Sequence, residues 1–360
     1  MLNKQHIRVA ILGFATVIIV GCASQEYESA KVYIKEQEWV KAKEFLVKAV
    51  EVESENPEIS YQLGYHIYAL QEKDWEKMNQ SFDKALAIDP NKIIGQEKTV
   101  KEFVTMARFE FWAEVYNKGG VEYNEYIAAP MDEKDAALKK AIATYEVSAR
   151  IKPDEAQSYI MLSTCNHYAG NIDKSENYIL KAVKLSPNNA SANLTAGQIF
   201  MKKQEFETAL PYMQKAVELE PSNTKTIRNL AQIYYDIGQL EKSIQTYEIA
   251  IDKETDREVK ADLYFNLGIL YNKVGNLEEA EYHFTNALDE NPDDVEAVMG
   301  MAQVFENAEK WRKAEKFYRE LITIDPDNPD HYRGMSRVLL QQGEPDESLR
   351  YLEKAKRLGG

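Results

Sequence analysis

The chain has 360 residues, with 44 Lys and Arg against 59 Asp and Glu, and so carries a net charge of −15. A surface this acidic excludes nonspecific nucleic-acid binding, which needs clustered Lys and Arg. The 44% share of hydrophobic residues excludes wholesale disorder, and two cysteines are too few for a disulfide-built scaffold.

Lys4, His6 and Arg8 open the chain, and an apolar run follows over residues 9–20. That length suits the apolar core of a secretory signal and is short for a membrane span. The run ends Ile19-Val20-Gly21-Cys22, which resembles the lipobox of bacterial lipoproteins. The resemblance implies removal of residues 1–21 as a signal peptide and diacylation of the Cys22 thiol. Residues 22–25 are then a lipidated tether, and the loss of Lys4 and Arg8 takes the net charge from −15 to −17. Ala23, rather than Asp, follows the cysteine. In a bacterium with two membranes this implies the outer membrane, facing the periplasm.

From residue 26 the pattern repeats. Ala30, Tyr33, Ala42, Leu46 and Ala49 form a first unit, and Gly64, Phe82, Ala85 and Pro90 a second with a slightly longer turn, so that residues 26–90 hold two repeats. Residues 91–153 form an irregular third unit. Segment 91–101 lengthens its approach, allowing the first helix to begin near Gln96. Residues 106–116 read as that helix, with Ala113 and Tyr116 in the small and aromatic slots. Its partner covers residues 136–150, with Ala141 and Tyr145 in place. Ala113 and Ala141 stand 28 apart where about a dozen are expected, and Gly119-Gly120 and Pro130 mark the excess, residues 118–132, as an inserted loop. Tyr123 and Tyr126 are its candidate contact residues.

Residues 154–360 hold six consecutive units. Pro153, Pro187 and Pro221 are spaced by 34, as are Pro292 and Pro326. The clearest unit places Tyr264, Leu267, Gly268 and Tyr271 ahead of Ala280, Phe284, Ala287 and Pro292. This resembles the tetratricopeptide repeat signature, departing only in Tyr264 for Trp. One slip of about three residues falls near residues 255–260. The resemblance implies an all-α, right-handed solenoid of about nine helix pairs in one continuous array. Small residues such as Gly268 and Ala280 then lie where two helices approach, aromatics such as Phe284 fill the gap to the next pair, and neighbouring pairs supply the core that one pair lacks.

No motif for catalysis stands out, and none of a Walker loop, GxSxG, HExxH or CxxC is present. Cys165 occupies a slot that is Ile199, Ile233, Leu270, Val304 and Val338 in the other units, so it reads as core. His66, His167, His283 and His331 are scattered over different repeats, and nothing in their spacing converges on a metal. The expectation is no catalytic residue, no metal and no cofactor.

The first helices of stacked pairs line a groove. The positions beside the core slots are Tyr168 and Gln198, then Arg228, Gln232 and Tyr235, then Asn266, Asn272 and Lys273, then Gln303 and Asn307, and last Arg337. Amides, aromatics and mixed charges suit an extended peptide or a helix. Some repeat proteins of this family grip a C-terminal carboxylate with Lys, Asn, Asn, Lys and Arg. Here Arg228, Gln232 and Asn266 resemble the first part, but Glu296 and Gly300 stand where the third repeat needs basic residues. The expected function is a membrane-anchored scaffold for protein–protein interaction in the bacterial cell envelope, assisting assembly or recruitment of an envelope complex such as outer-membrane, pilus or secretion, or cell-wall machinery. Its partners are a protein in the groove and a membrane through the lipid. The alternative is a periplasmic receptor for a small ligand or glycan, using the groove and the inserted loop.

Overall fold

The computed structural model describes residues 23–95, 97–292 and 294–359. The expected signal peptide at 1–21 and the expected lipidation site Cys22, where the expected tether begins, lie outside the described residues, as does Gln96. Among the described residues the chain forms eighteen α-helices in nine antiparallel pairs, one π-helical stretch and one short two-stranded ribbon. It divides into two compact units, one of residues 23–125 with 143–153 and the other of 126–142 with 154–359.

In the first unit, α1 (Gln25–Lys35) pairs with α2 (Trp39–Val52). The next pair opens with α3 (Pro57–Gln62), continues as a π-helix over Leu63–Gln71, and closes with α4 (Trp75–Ile88). The sequence pattern assigned the extra residues here to a longer turn, and the structure corrects this. Gly64 and the left-handed Lys73 stand nine apart, whereas Gly268 and the equivalent Gly275 stand seven apart. The surplus is absorbed inside the helix, where bonding widens to the i→i+5 form. The turn itself keeps the usual three residues.

Segment 91–101 holds the ribbon β1 (Ile93–Ile94) and β2 (Lys98–Thr99), paired antiparallel. Ile94 is buried there with Phe82, Val100 and Val104. Helix α5 (Val100–Ala128) follows, and then α6 (Lys134–Ile151). The expected loop at 118–132 is therefore mostly helix: α5 runs straight through Gly119-Gly120 to Ala128. Nor does Ala113 fill the small slot. A Cβ on Gly119 would lie 2.8 Å from the Tyr145 ring, so Gly119 is the residue that lets α5 and α6 close. A Gly-Gly step costs a helix about 1 kcal/mol per glycine, which the pattern treated as a break; packing of the buried Tyr145 offsets it.

The second unit holds six regular pairs. They are α7 (Ala156–Tyr168) with α8 (Ile172–Leu185), α9 (Ala190–Lys202) with α10 (Phe206–Leu219), and α11 (Thr224–Asp236) with α12 (Leu240–Lys253). Then come α13 (Arg257–Lys273) with α14 (Leu277–Glu290), α15 (Val295–Asn307) with α16 (Trp311–Ile324), and α17 (Pro329–Gln341) with α18 (Pro345–Gly359). The slip near residues 255–260 extends α13 at its N-terminus, where the Asp256 side chain accepts from the amides of Glu258 and Val259. Each second helix packs on the first helix of the next pair, and first helices also touch in sequence, α7 on α9 and α13 on α15.

One closure recurs at the turn inside each regular pair. Gly170, Gln204, Gly238, Gly275, Glu309 and Gly343 all have positive φ. The next amide then reaches back six residues' span, as from Asn171 to the Asn166 carbonyl at 2.8 Å and from Asn276 to the Tyr271 carbonyl at 2.9 Å. This satisfies orphan carbonyls of the first helix and reverses the chain in three residues. The core follows the slots. Phe284 is wedged between Gly268 of its own pair and Gly300 of the next, since Cβ atoms there would lie 2.8 Å and 2.5 Å from its ring.

Candidate functional site: a row of clefts on the first helices

The candidate site lies in the second unit. The slots bury one side of each first helix, so the residues between them emerge side by side on adjacent helices. Three clefts open along this row.

The first lies between α7 and α9 and has a volume of about 120 Å³. Thr164, His167 and Tyr168 meet Thr195 and Gln198 there. Tyr168 is 56% exposed and stands edge-on to His167, with ring centroids 5.8 Å apart. Burial and the nearby Lys202 ammonium, 3.4 Å from Nε2, push the His167 pKa down. The Tyr126 ring lies 5.9 Å from Tyr168 and carries the Lys134 ammonium 5.4 Å above it. Tyr126 thus adds to this aromatic edge from the helical segment read as a loop. Tyr123 lies on α5 in the first unit, half-buried.

The second cleft, about 130 Å³, lies between α11 and α13, where Gln232, Tyr235 and Tyr247 face Asn266 and Ile269. The Tyr247 hydroxyl donates to Gln232 Oε1 at 3.4 Å, and Gln232 Nε2 donates to Asp236 at 3.1 Å. Asn266 lines the cleft and donates to its own helix at the Asp262 carbonyl, 2.7 Å away. Lys273 sits 4.3 Å above the Tyr235 ring and donates to the Tyr235 hydroxyl at 3.2 Å. Arg228 pairs with Asp262 at 3.6 Å.

The third cleft, about 360 Å³, is bounded by α13, α15 and α17. Phe265, Ile269, Phe284, Val295 and Met299 form apolar walls, while Asn272, Glu296 and Gln303 supply polar groups, and Asn328 and His331 close one side. Asn307 Nδ2 donates to Asn272 Oδ1 at 2.9 Å. Arg337 pairs with Glu306 at 3.2 Å and donates to the Tyr318 hydroxyl at 3.2 Å.

The structure thus gathers Tyr168 with Gln198, then Gln232, Tyr235 and Asn266, then Asn272 and Gln303, while Arg228, Lys273, Asn307 and Arg337 stand beside these clefts in contacts with neighbours. Sequence reasoning missed Asn328 and His331 as lining residues. They belong to the N-terminus of α17, beside Pro329, and the only signal was that capping position. A further recess of about 440 Å³ at the α15–α16 turn is walled by Trp311, Arg312, Lys313 and Gln342. Its Lys310 and Lys313 pair with Glu281.

Cys165 is fully buried, and burial pushes its thiol up to about 12. Among the described residues no three His, Cys, Asp or Glu side chains stand together as a metal site, and no helix is long and apolar enough to cross a membrane.

Residues 156–189 and 297–332 match tetratricopeptide repeat family models, and residues 190–305 match the TT21 fifth ARM repeats domain. The Protein CTR9 homolog of Arabidopsis thaliana is 24% identical over 215 residues, covering 56% of this chain and 19% of that protein. Anaphase-promoting complex subunit 3 of Schizosaccharomyces pombe is 26% identical over 93 residues, covering 26% of this chain and 14% of that protein. The chain thus spans less than a fifth of the length of either relative. A tetratricopeptide repeat protein from Parabacteroides merdae, solved by crystallography, is 17% identical with a TM-score of 0.48, covering 69% of this chain and 94% of that one.

Proposed function

We propose that this chain, a tetratricopeptide repeat protein and therefore a protein-interaction scaffold, is anchored by lipid in the bacterial cell envelope and holds a protein partner along its first-helix clefts. The observation that carries the binding role is the row of three clefts in one unit, each pairing amides with aromatic or apolar walls. That alternation suits an extended chain, whose backbone takes the amides and whose side chains enter the recesses. The anchor rests on the sequence around Cys22: two acyl chains hold stably at a bilayer where one does not. Tethering then works through effective concentration, keeping the partner near an assembly site, and no bond chemistry is required. The envelope process it serves is assembly or recruitment, at the outer membrane where two membranes exist.

The test is affinity capture of the full-length protein from detergent-solubilised membranes after mild cross-linking, beside a Gln232→Ala, Asn266→Ala double variant. Enrichment of one envelope protein that the double variant loses supports the scaffold. Enrichment unchanged by the variant moves the site off these clefts. In parallel, Cys22→Ser is expected to shift the protein from the detergent to the aqueous phase in phase partitioning; no shift removes the lipid anchor.

The volume of the third cleft favours a second reading, a receptor for a small ligand or glycan, since small-molecule sites begin at about 300 Å³. The segment expected to close over it is helix, and none of 118–132 lines that cleft. A melting-temperature screen against glycans and small metabolites tests this reading; a saturable rise supports it.

A further inference from the structure

We infer that the third cleft selects a peptide carrying one large apolar side chain next to Lys or Arg, rather than an acidic peptide or a C-terminal carboxylate. This deepens the scaffold reading and rests on it. Of the cationic groups beside the second and third clefts, Arg228 is paired with Asp262 and Arg337 with Glu306, while Lys273 is held on the Tyr235 ring and hydroxyl at the second cleft. Glu296 is exposed at the cleft wall and, among the described residues, has no cationic partner.

The N-termini of α15 and α17 do not rescue an anion here. Asp294 already accepts from the amides of Glu296 and Ala297 at 2.9 and 3.1 Å, and Asn328 accepts from the Asp330 amide at 3.0 Å. An incoming carboxylate would meet Asp294 and Glu296 in place of free donors. A cation beside Glu296 gains attraction instead. Phe265, Val295 and Met299 give the adjacent side chain an apolar seat, with Met299 adaptable in shape. Gln303 on α15 and Asn272 on α13 line the same cleft and can take peptide backbone groups.

The test uses full-length protein in detergent micelles and fluorescein-labelled octapeptides of Gly and Ser carrying a central Phe-Lys-Lys, Phe-Glu-Glu or Ala-Lys-Lys, read by anisotropy. The Phe-Lys-Lys peptide is expected to bind tightest. Replacing its lysines by glutamates should weaken binding about fivefold, the scale of one exposed ion pair. Replacing its Phe by Ala should weaken binding about tenfold or more, from lost apolar burial. Glu296→Lys should invert the order of the Lys and Glu peptides, and Glu296→Gln should abolish the preference; both variants should still melt cooperatively, with the midpoint lowered slightly, more so for Lys, by loss of the acidic residue from the first turn of α15. Equal binding of the Lys and Glu peptides, or a preference that survives Glu296→Lys, overturns the selection and leaves the scaffold standing. Absence of binding by all three overturns the selection and removes this cleft from the scaffold's peptide-binding surface.

Discussion

Ser163 and Ser175 exchange reciprocal hydrogen bonds across the α7–α8 pair: each hydroxyl donates to the other's backbone carbonyl at 2.8 Å. They occupy the two small slots, twelve residues apart, that hold Gly268 with Ala280 in another pair. Ser336 and Ser348 fill the same slots in the last pair, where the Ser348 hydroxyl donates to the Ser336 carbonyl at 2.8 Å and the two hydroxyls lie 2.9 Å apart. Both carbonyls also belong to helix backbone, so these bonds supplement bonds already made. Ser163→Ala is therefore expected to cost about 1 kcal/mol, a typical net hydrogen bond, and Ser163→Val more through overpacking. Urea unfolding of the two variants checks the order.

Gly119 and Gly120 should respond in opposite directions to alanine. At Gly119 the new Cβ meets the Tyr145 ring at 2.8 Å; at Gly120 the nearest atom is the Tyr145 hydroxyl at 3.8 Å. Gly119→Ala is expected to destabilise by about 1–3 kcal/mol through overpacking. Gly120→Ala should stabilise by about 0.5–1 kcal/mol through helix propensity. Thermal melts of both variants decide whether α5 is continuous; equal effects would argue for a loop.

Gln204 holds φ at +60° in a turn where Gly170, Gly238 and Gly275 stand in equivalent pairs. A side chain there strains the left-handed backbone. Gln204→Gly is expected to raise stability by about 1 kcal/mol, less the entropy that glycine adds to the unfolded chain. A rise in the chemical denaturation midpoint checks it.

His283 stacks on Tyr271 with centroids 5.1 Å apart, and its Nδ1 is buried without a hydrogen-bond partner. Burial lowers its pKa from 6.5, against the opposing pull of Glu279 and Glu248. The unfolded chain therefore binds the proton first as pH falls. The stability contributed by neutral His283 is complete above about pH 6.5 and is lost as pH drops below it. His283→Phe keeps a stacking ring and should flatten the fall in urea midpoint between about pH 6.5 and pH 5. An unchanged profile would place the acid sensitivity elsewhere.

Cys165 should resist alkylation in the folded protein at pH 8, because the thiolate is the nucleophile and burial holds the thiol protonated up to about 12. Iodoacetamide labelling should accelerate sharply in denaturant. Above the unfolded value of about 9, the unfolded chain loses this proton first, so stability falls as pH rises from there toward 12.

The regular part of the fold was legible in the chain. Small slots at twelve-residue separation, such as Gly197 with Ala209, Ala231 with Ser243 and Ala302 with Ala314, are buried in every regular pair. Several polar residues placed between those slots line the clefts. What escaped was the fate of surplus residues. Nine residues where seven suffice became a π-helix at Leu63–Gln71 in place of a longer turn, and Gly119-Gly120 became a helix interior where a loop was expected. Composition marks a possible break, but only the ring of Tyr145, 26 residues on, removes the reason for one.

The sequence by itself determined the helical class, the period and the slot assignment, because each depends on residues within one or two turns of each other along a helix. Tertiary structure alone decided which groups distant in the chain meet. Asn79 Nδ2 donates to the carbonyls of Arg150 and Ile151, at 2.8 and 3.2 Å, closing the end of α6 from 71 and 72 residues away, and Arg108 holds Asn79 Oδ1 at 2.8 Å. The third cleft likewise joins α13, α15 and α17, leaving Glu296 beside apolar walls with no cationic partner among the described residues. Local periodicity carries no term for such contacts: it fixes which way a side chain faces, and the neighbouring helix fixes what it finds there.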